Sequence, residues 1–160
     1  IDGLKQNYLA DQVLKLDFKP SEAVTVKAID DSVVETIKHC YEEQAPQKIM
    51  EYKTIVADQV KEKGQIIVPE LEEAVFKDNE QAAVLYQEVA EQQQIPKIPV
   101  YVSKKTERKL GKKQKLVTDS GIELLVPLEL LKDESILEYH QNDDGKMSIL
   151  IKEIGFIENK

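Results

Sequence analysis

The chain contains no tryptophan, one cysteine and few aromatic residues, which make up 6% of its 160 positions. The single cysteine, Cys40, excludes an intrachain disulfide and is typical of a protein in the reducing cytoplasm. No apolar run approaches the roughly 20 residues that a membrane-spanning helix needs. Because 41% of the residues are hydrophobic and 32% are charged, the composition predicts a globular cytoplasmic protein without a membrane segment.

The usual signatures of catalysis and metal binding are also missing. There is no glycine-rich phosphate loop, CxxC, HExxH or GxSxG motif. A zinc site needs about four ligands, whereas the candidate His and Cys ligands are His39, Cys40 and His140. Cys40 follows Val33 and Ile37 at helical spacing, which favours a buried core thiol over a nucleophile paired with a histidine.

Four adjacent carboxylate pairs are the remaining candidates for acid–base chemistry: Asp30-Asp31, Glu42-Glu43, Glu72-Glu73 and Asp143-Asp144. Such chemistry needs one carboxyl group in a desolvated cleft, but these pairs lie in predicted turns or on polar helix faces. We therefore expect a protein that is not an enzyme, with no catalytic residue, metal, cofactor or small-molecule substrate.

The first part of the chain has a helical pattern. Apolar residues recur every three or four positions after Ser21, and a second helix begins at Ala45-Pro46 and stops at Gly64. A short extended link leads to a third helix from Pro69, and Asp78 or Asn79 caps a fourth.

The pattern changes at QQQIPKIPVYV, where two prolines exclude a continued helix. Two hairpins are predicted after it, around Asp119–Gly121 and around Asn142–Gly145, with a helical turn between them in LELLKDES. The sequence thus predicts an α+β fold, with an N-terminal helical region followed by a small antiparallel β-sheet of hairpins. We expect a mainly helical subdomain at 1–95 and a β-rich subdomain at 96–160.

A dense basic segment lies in an acidic chain, whose net charge is −8. Residues 104–115 carry a net +6, which leaves −14 for the rest. Basic side chains bind nucleic acid by displacing counterions from phosphates, and only Tyr101 lies nearby as an aromatic stacking platform. The segment favours phosphate contact over base reading, although a solvated connector has the same composition. The candidate residues are Lys104, Lys105, Arg108, Lys109, Lys112, Lys113 and Lys115.

Three motifs in the last third resemble those of the bacterial 37-kilodalton nucleoid-associated protein family. The family has a KKQK connector, a TDSGIEL element before a proline, and an IEY…NxDGxxSIxIKxI element. The corresponding stretches here are Lys112–Lys115, Thr118–Leu124 before Pro127, and Leu137–Ile154. Near the start, Asn7–Leu9 and Val13-Leu14 are similar to the family's YFLxxVLG entry, with Lys15 where glycine is usual.

The resemblance implies a nonenzymatic bacterial protein of the cytoplasmic nucleoid, with DNA or the nucleoid as partner. It also implies that this chain is the C-terminal half of a protein about twice as long, in line with an opening, IDGLKQNYLADQVL, that has neither an initiator Met nor a signal-peptide pattern.

Two functions of different class follow from the sequence. In the first, the basic segment makes weak, sequence-tolerant contacts with DNA phosphates. In the second, the chain is an oligomerisation or protein-interaction module, in which acidic helices dock a partner, including a second copy, without direct DNA contact. One contiguous basic face would favour the first function, and a large exposed apolar face would favour the second.

Overall fold

The computed structural model describes residues 20–160 of the chain. The stretch at 7–15 that is similar to the family's YFLxxVLG motif lies outside these described residues. Helices dominate the first part, and paired strands follow, so the predicted α+β fold is confirmed. The helices are α1 (Glu22–Tyr41), α2 (Ala45–Lys63), α3 (Val68–Phe76), α4 (Glu80–Gln92), α5 (Lys104–Leu110) and α6 (Leu128–Leu131), with a 3₁₀ turn at Glu42–Gln44. The strands are β1 (Gln65–Ile66), β2 (Val100–Tyr101), β3 (Lys113–Val117), β4 (Glu123–Pro127), β5 (Leu137–Gln141) and β6 (Met147–Ile151).

The long helices begin and end where local side chains satisfy their backbone groups. The Ser21 hydroxyl accepts a hydrogen bond from the Val24 N–H at the start of α1, and the Asn79 side chain accepts one from the Ala82 N–H at the start of α4. Helix α2 ends at Gly64, whose φ of 65° is left-handed. The predicted cap at Asn79 and the predicted stop at Gly64 are therefore confirmed, and Ser21 caps the first helix.

One hydrophobic core joins the first four helices. Helix α1 packs against α2 and α4, and α3 packs against α2 and α4. The Phe76 and Tyr86 rings stack at 5.3 Å between centroids. The buried core residues are Ile29, Val33, Ile37, Ala45, Tyr52, Val56, Val60, Ile66, Val68, Leu71, Val75, Phe76, Ala82, Tyr86 and Ile95. Apart from Ile66 in β1 and Ile95 after α4, these residues lie on the helices, where apolar residues spaced three or four positions apart form the buried stripes.

A two-residue ladder connects the helical part to the later chain. Gln65 pairs with Tyr101 and Ile66 with Val100 in antiparallel register, and the Val102 N–H donates to the Gly64 carbonyl at 3.0 Å. Ile66 is buried in the helical core. The division into subdomains between residues 95 and 96 stays a prediction. This ladder joins residues from both sides of that boundary.

The remaining strands form two separate hairpins. Strands β3 and β4 pair with each other, as do β5 and β6, so each sheet of the described chain has two strands. The family-like motifs form their turns. Thr118 receives a hydrogen bond from the Ile122 N–H at 3.0 Å, and the Asn142 N–H donates to the Lys146 carbonyl at 2.7 Å. Among the helices of residues 20–160, none has both the length and the apolar character that crossing a membrane requires.

Candidate nucleic-acid interface

The basic segment is divided between a helix and a strand. Helix α5 carries Lys104, Lys105, Arg108 and Lys109, the turn after it carries Lys112, and β3 carries Lys113 and Lys115. All seven side chains are exposed. The sequence pattern indicates a connector here, but residues 104–110 form a helix.

Hydrogen bonds fix the start of α5 to the start of α1. The Ser103 side chain caps α5 by accepting from the Thr106 N–H, and Ser103 donates to Glu22 Oε1 from both its backbone N–H and its hydroxyl at 3.0 Å. The Thr106 hydroxyl and the Ser103 N–H hold the pKa of the Glu22 carboxyl below its ordinary value. At the other end of the helix, Leu110 packs against the core. These contacts hold α5 against the helical part and fix the orientation of its exposed side.

The four cations of α5 share one side of the helix. At 100° per residue, they fall within an arc of about 140°. The other side carries Thr106, Glu107 and Leu110, which are half-buried. Helix α5 therefore presents a contiguous cationic stripe to solvent.

Few of these cations are neutralised by neighbouring side chains. Lys104 lies 2.8 Å from Glu107, and its side chain remains 85% exposed. Lys115 lies 2.8 Å from Glu123. Within residues 20–160, the other five basic residues of the segment form no ion pair, so they are free to meet an external anion.

A cleft of about 550 Å³ adjoins the stripe and contains basic residues that the linear sequence does not associate with it. Arg108 and Lys112 line one wall, while Lys61 of α2 and Lys132 line another. Lys132 pairs with Asp58, whereas Lys61 is exposed near the end of α2. Lys61 lies some 50 positions before Arg108 in the sequence, and the packing of α5 against α2 brings the two residues to the same cleft.

The two lysines of β3 lie in a different environment. Lys113, Lys115 and Val117 alternate onto one face of the hairpin, and Leu125 lies directly opposite Lys115. Val117 is 62% exposed and Leu125 is 66% exposed. Glu123 lies opposite Val117 on the same face and pairs with Lys115. This face therefore combines apolar, basic and acidic groups, whereas the stripe on α5 consists of cations.

Cys40 is half-buried and packs against the helical core. The predicted core position is therefore observed, although the thiol is not fully buried. Burial raises the pKa of Cys40, which disfavours the thiolate that a nucleophile needs. Within the part of the chain that the structure describes, no three His, Cys, Asp or Glu side chains are grouped as a metal site requires.

A second cleft, of about 920 Å³, lies between α2 and the last hairpin. Its buried ammonium group, Lys48, lies 3.1 Å from Glu51 and 3.2 Å from Asp78. The Tyr41 hydroxyl donates to Asp78 at 2.8 Å. Burial raises the pKa of Tyr139 in this cleft to about 12. The buried lysine is thus balanced by two half-exposed carboxylates, as in a structural ion-pair network.

Fold and surface together define an acidic α+β protein with a localised basic surface on a short anchored helix. A family model described as nucleoid-associated protein YejK matches residues 1–159. Because the match covers nearly the whole chain, the protein belongs to this family of nucleoid-associated proteins, as the terminal motifs predict. No curated protein and no solved structure matches the chain.

Proposed function

We propose that this chain is a nonenzymatic part of a bacterial nucleoid-associated protein, located in the cytoplasmic nucleoid, and that α5 contacts DNA phosphates without reading sequence. The cationic stripe of α5 carries this proposal: Lys104, Lys105, Arg108 and Lys109 occupy one exposed arc. Family membership supports DNA as the polyanion, because proteins of the nucleoid work in a compartment filled with it.

The chemistry of the stripe favours backbone contact over base recognition. Phosphate contacts position a protein on DNA, whereas donors and acceptors at base edges give specificity. The stripe consists of ammonium groups and one guanidinium on a helix of seven residues, about 10 Å long. The nearby exposed aromatic side chain is Tyr101, which alone is a limited stacking platform. Binding is therefore expected to tolerate changes of DNA sequence.

The charge of the remaining chain limits the affinity. The basic segment approaches DNA with +6, but the rest of the chain carries −14. The Debye length at physiological salt is about 8 Å, so distant carboxylates are partly screened and the stripe dominates at close range. We expect two to four effective phosphate contacts and a dissociation constant of roughly 10⁻⁴ to 10⁻⁶ M.

The test is a salt titration of binding to duplex DNA, measured by fluorescence anisotropy with two unrelated sequences. Each neutralised phosphate contributes a slope of about −0.9 to the plot of log K against log salt. Two to four contacts thus give a slope of about −2 to −4, equal for the two sequences. A triple variant, Lys105→Gln, Lys109→Gln and Lys112→Gln, should flatten this slope and lower the affinity at low salt.

A charge-matched control separates the stripe from net charge. Lys38, Lys77 and Lys97 are exposed and lie outside the basic segment, and their triple change to Gln alters the net charge equally. The control should retain the wild-type slope. Equal losses in both variants would show that net charge, not the stripe, governs binding. A wild-type chain that fails to bind at low salt would refute the DNA contact.

A further inference from the structure

The face of the β3–β4 hairpin has properties that phosphate binding does not explain. Its exposed apolar residues, Val117 and Leu125, stand beside Lys113 and Lys115, and Glu123 on the same face pairs with Lys115. DNA phosphates would satisfy the lysines, but not the apolar side chains. An isolated two-stranded sheet is also marginally stable in water, so a covering surface would stabilise the hairpin. The complementary surface would be apolar and flanked by carboxylates.

The chain carries such a surface on α4. Val84 is 52% exposed in a shallow depression of about 360 Å³, lined by Glu80, Gln81, Val84, Leu85 and Glu88. Glu80 lies about one helical turn before Val84 and Glu88 about one turn after it, each about 6 Å away along the axis. Within residues 20–160, neither carboxylate forms an ion pair. Val84 between two carboxylates is complementary to Val117 and Leu125 on the hairpin face. Beside these apolar residues, Lys113 forms no ion pair within residues 20–160, and the ion pair of Lys115 with Glu123 is exposed to solvent.

Net charges extend this complementarity beyond the two patches. The segment 68–92, which includes α3 and α4, has seven acidic residues and one lysine, for a net −6. The basic segment 104–115 carries +6. In the described chain, no ion pair joins these two segments. Among the acidic residues, Glu70 pairs with Lys63 and Asp78 pairs with Lys48, so the residues left for a contact with another molecule include Glu80 and Glu88.

We propose that the hairpin face around Lys113, Lys115, Val117 and Leu125 binds the α4 patch around Glu80, Val84 and Glu88 of a second copy. The contact is heterologous, since the two surfaces differ. In a pair, one copy keeps a free α4 patch and the other keeps a free hairpin face. Such contacts close into a ring or extend into a chain. The two apolar patches are small, so a single contact is weaker than a standard interface of about 1,600 Å².

Six of the seven cations of the basic segment fall into two groups, while Lys112 lies in the turn between α5 and β3. The four cations on α5 form the stripe, which suits contact with phosphate. Lys113 and Lys115 belong to a mixed surface, which suits contact with a protein partner. Self-association is thus independent of the proposed DNA contact and can be tested without DNA.

The test uses sedimentation velocity of this chain at several concentrations, in 50 mM and in 500 mM salt. Variant A carries Glu80→Lys and Glu88→Lys, and variant B carries Lys113→Glu and Lys115→Glu. The wild-type average mass should rise with concentration at low salt and fall toward the monomer at high salt. Each variant alone should remain monomeric. An equimolar mixture of A and B should associate again, because each reversed surface then meets a partner of opposite charge.

Two further measurements exclude trivial explanations. Circular dichroism and the melting temperature should show that A and B are folded. Leu125→Ser removes apolar surface without changing charge and should lower the association constant several-fold. The proposal is overturned if the mixture of A and B stays monomeric, if variant A alone associates like the wild type, or if the wild-type chain is monomeric throughout the low-salt series.

Discussion

Gly145 offers the sharpest test of how the final hairpin is built. Its φ of 78° lies in the left-handed region, where an L-residue costs about 1–2 kcal/mol. The Gly145 N–H donates to the Asn142 carbonyl at 2.9 Å, which closes the turn. A Cβ at position 145 would also lie 2.9 Å from Glu43 Oε1. Gly145→Ala therefore introduces both backbone strain and a close contact.

These two effects differ in size. The Glu43 carboxylate is the flexible end of an exposed side chain and can rotate away from a new methyl group. The movement would disturb the hydrogen bond that Gln141 donates to Glu43 Oε2 at 2.8 Å, and an exposed bond of this kind contributes about 0.5 kcal/mol. Backbone strain should dominate, and we expect Gly145→Ala to lower the free energy of unfolding by about 1.5–2.5 kcal/mol.

The assay is thermal and urea unfolding followed by far-UV circular dichroism. At about 2–4 °C per kcal/mol for a chain of this length, the melting temperature should fall by about 3–10 °C. Gly145→Val should cost more, because a β-branched residue is poorly accommodated at positive φ. Glu43→Ala removes the carboxylate, so Gly145→Ala should cost about 0.5 kcal/mol less in that background.

Gly121 is the matched control. It has a φ of 86° in the other hairpin, but an added Cβ there would meet nothing within 4 Å. Gly121→Ala should show the cost of strain alone, independent of Glu43. If Gly145→Ala melts with the wild type, Gly145 does not hold a strained turn, and the reasoning fails.

Two further predictions concern stability. Cys40→Ala should cost about 1 kcal/mol, because the half-buried thiol packs against the core, and should leave DNA binding unchanged; rapid labelling of the native thiol by a maleimide would contradict this. Asp78→Asn should lower the melting temperature at pH 7. Partial burial raises the pKa of Asp78, but hydrogen bonds from Tyr41 and Lys48 outweigh it and lower the pKa below 3.8. The stabilisation is therefore complete above that pH and lost as pH falls below it, so wild type and variant should converge in acid; a gap that persists would show that charge is not its cause.

The helical part could be predicted because its signals are local. Stripes of apolar residues in α1 and α2 each continue for about five turns. The side chains of Ser21 and Asn79 cap helix starts, and Gly64 ends α2 because its backbone is left-handed. The hairpin turns at 119–121 and 142–145 were equally local, since each has a glycine at positive φ. Both kinds of signal act over a few residues and need no knowledge of the fold.

Helix α5 was not predicted from the sequence, which indicated a connector there. With seven residues it is too short for a clear periodicity, and its one apolar residue, Leu110, marks the packed side by itself. The Ser103 cap was a usable signal, but Glu22, which holds Ser103 in place, lies 81 positions away. The ladder of Ile66 with Val100 and the approach of Lys61 to Arg108 are likewise nonlocal. The composition thus indicated which residues are basic, while packing determined which of them share a surface.

The placement of charge, more than its total, decides what this acidic chain can bind. At physiological salt a charge is felt over about 8 Å, which is less than the length of α5. The electrostatic potential that an anion meets near α5 is therefore set by Lys104, Lys105, Arg108 and Lys109 more than by the net charge of −8. A protein partner with apolar groups would instead meet the hairpin face, where Lys113 and Lys115 stand beside Leu125. Because secondary structure separates these two groups, substitutions in one need not alter the other. Both proposed interactions weaken as salt rises, so salt dependence alone does not distinguish them.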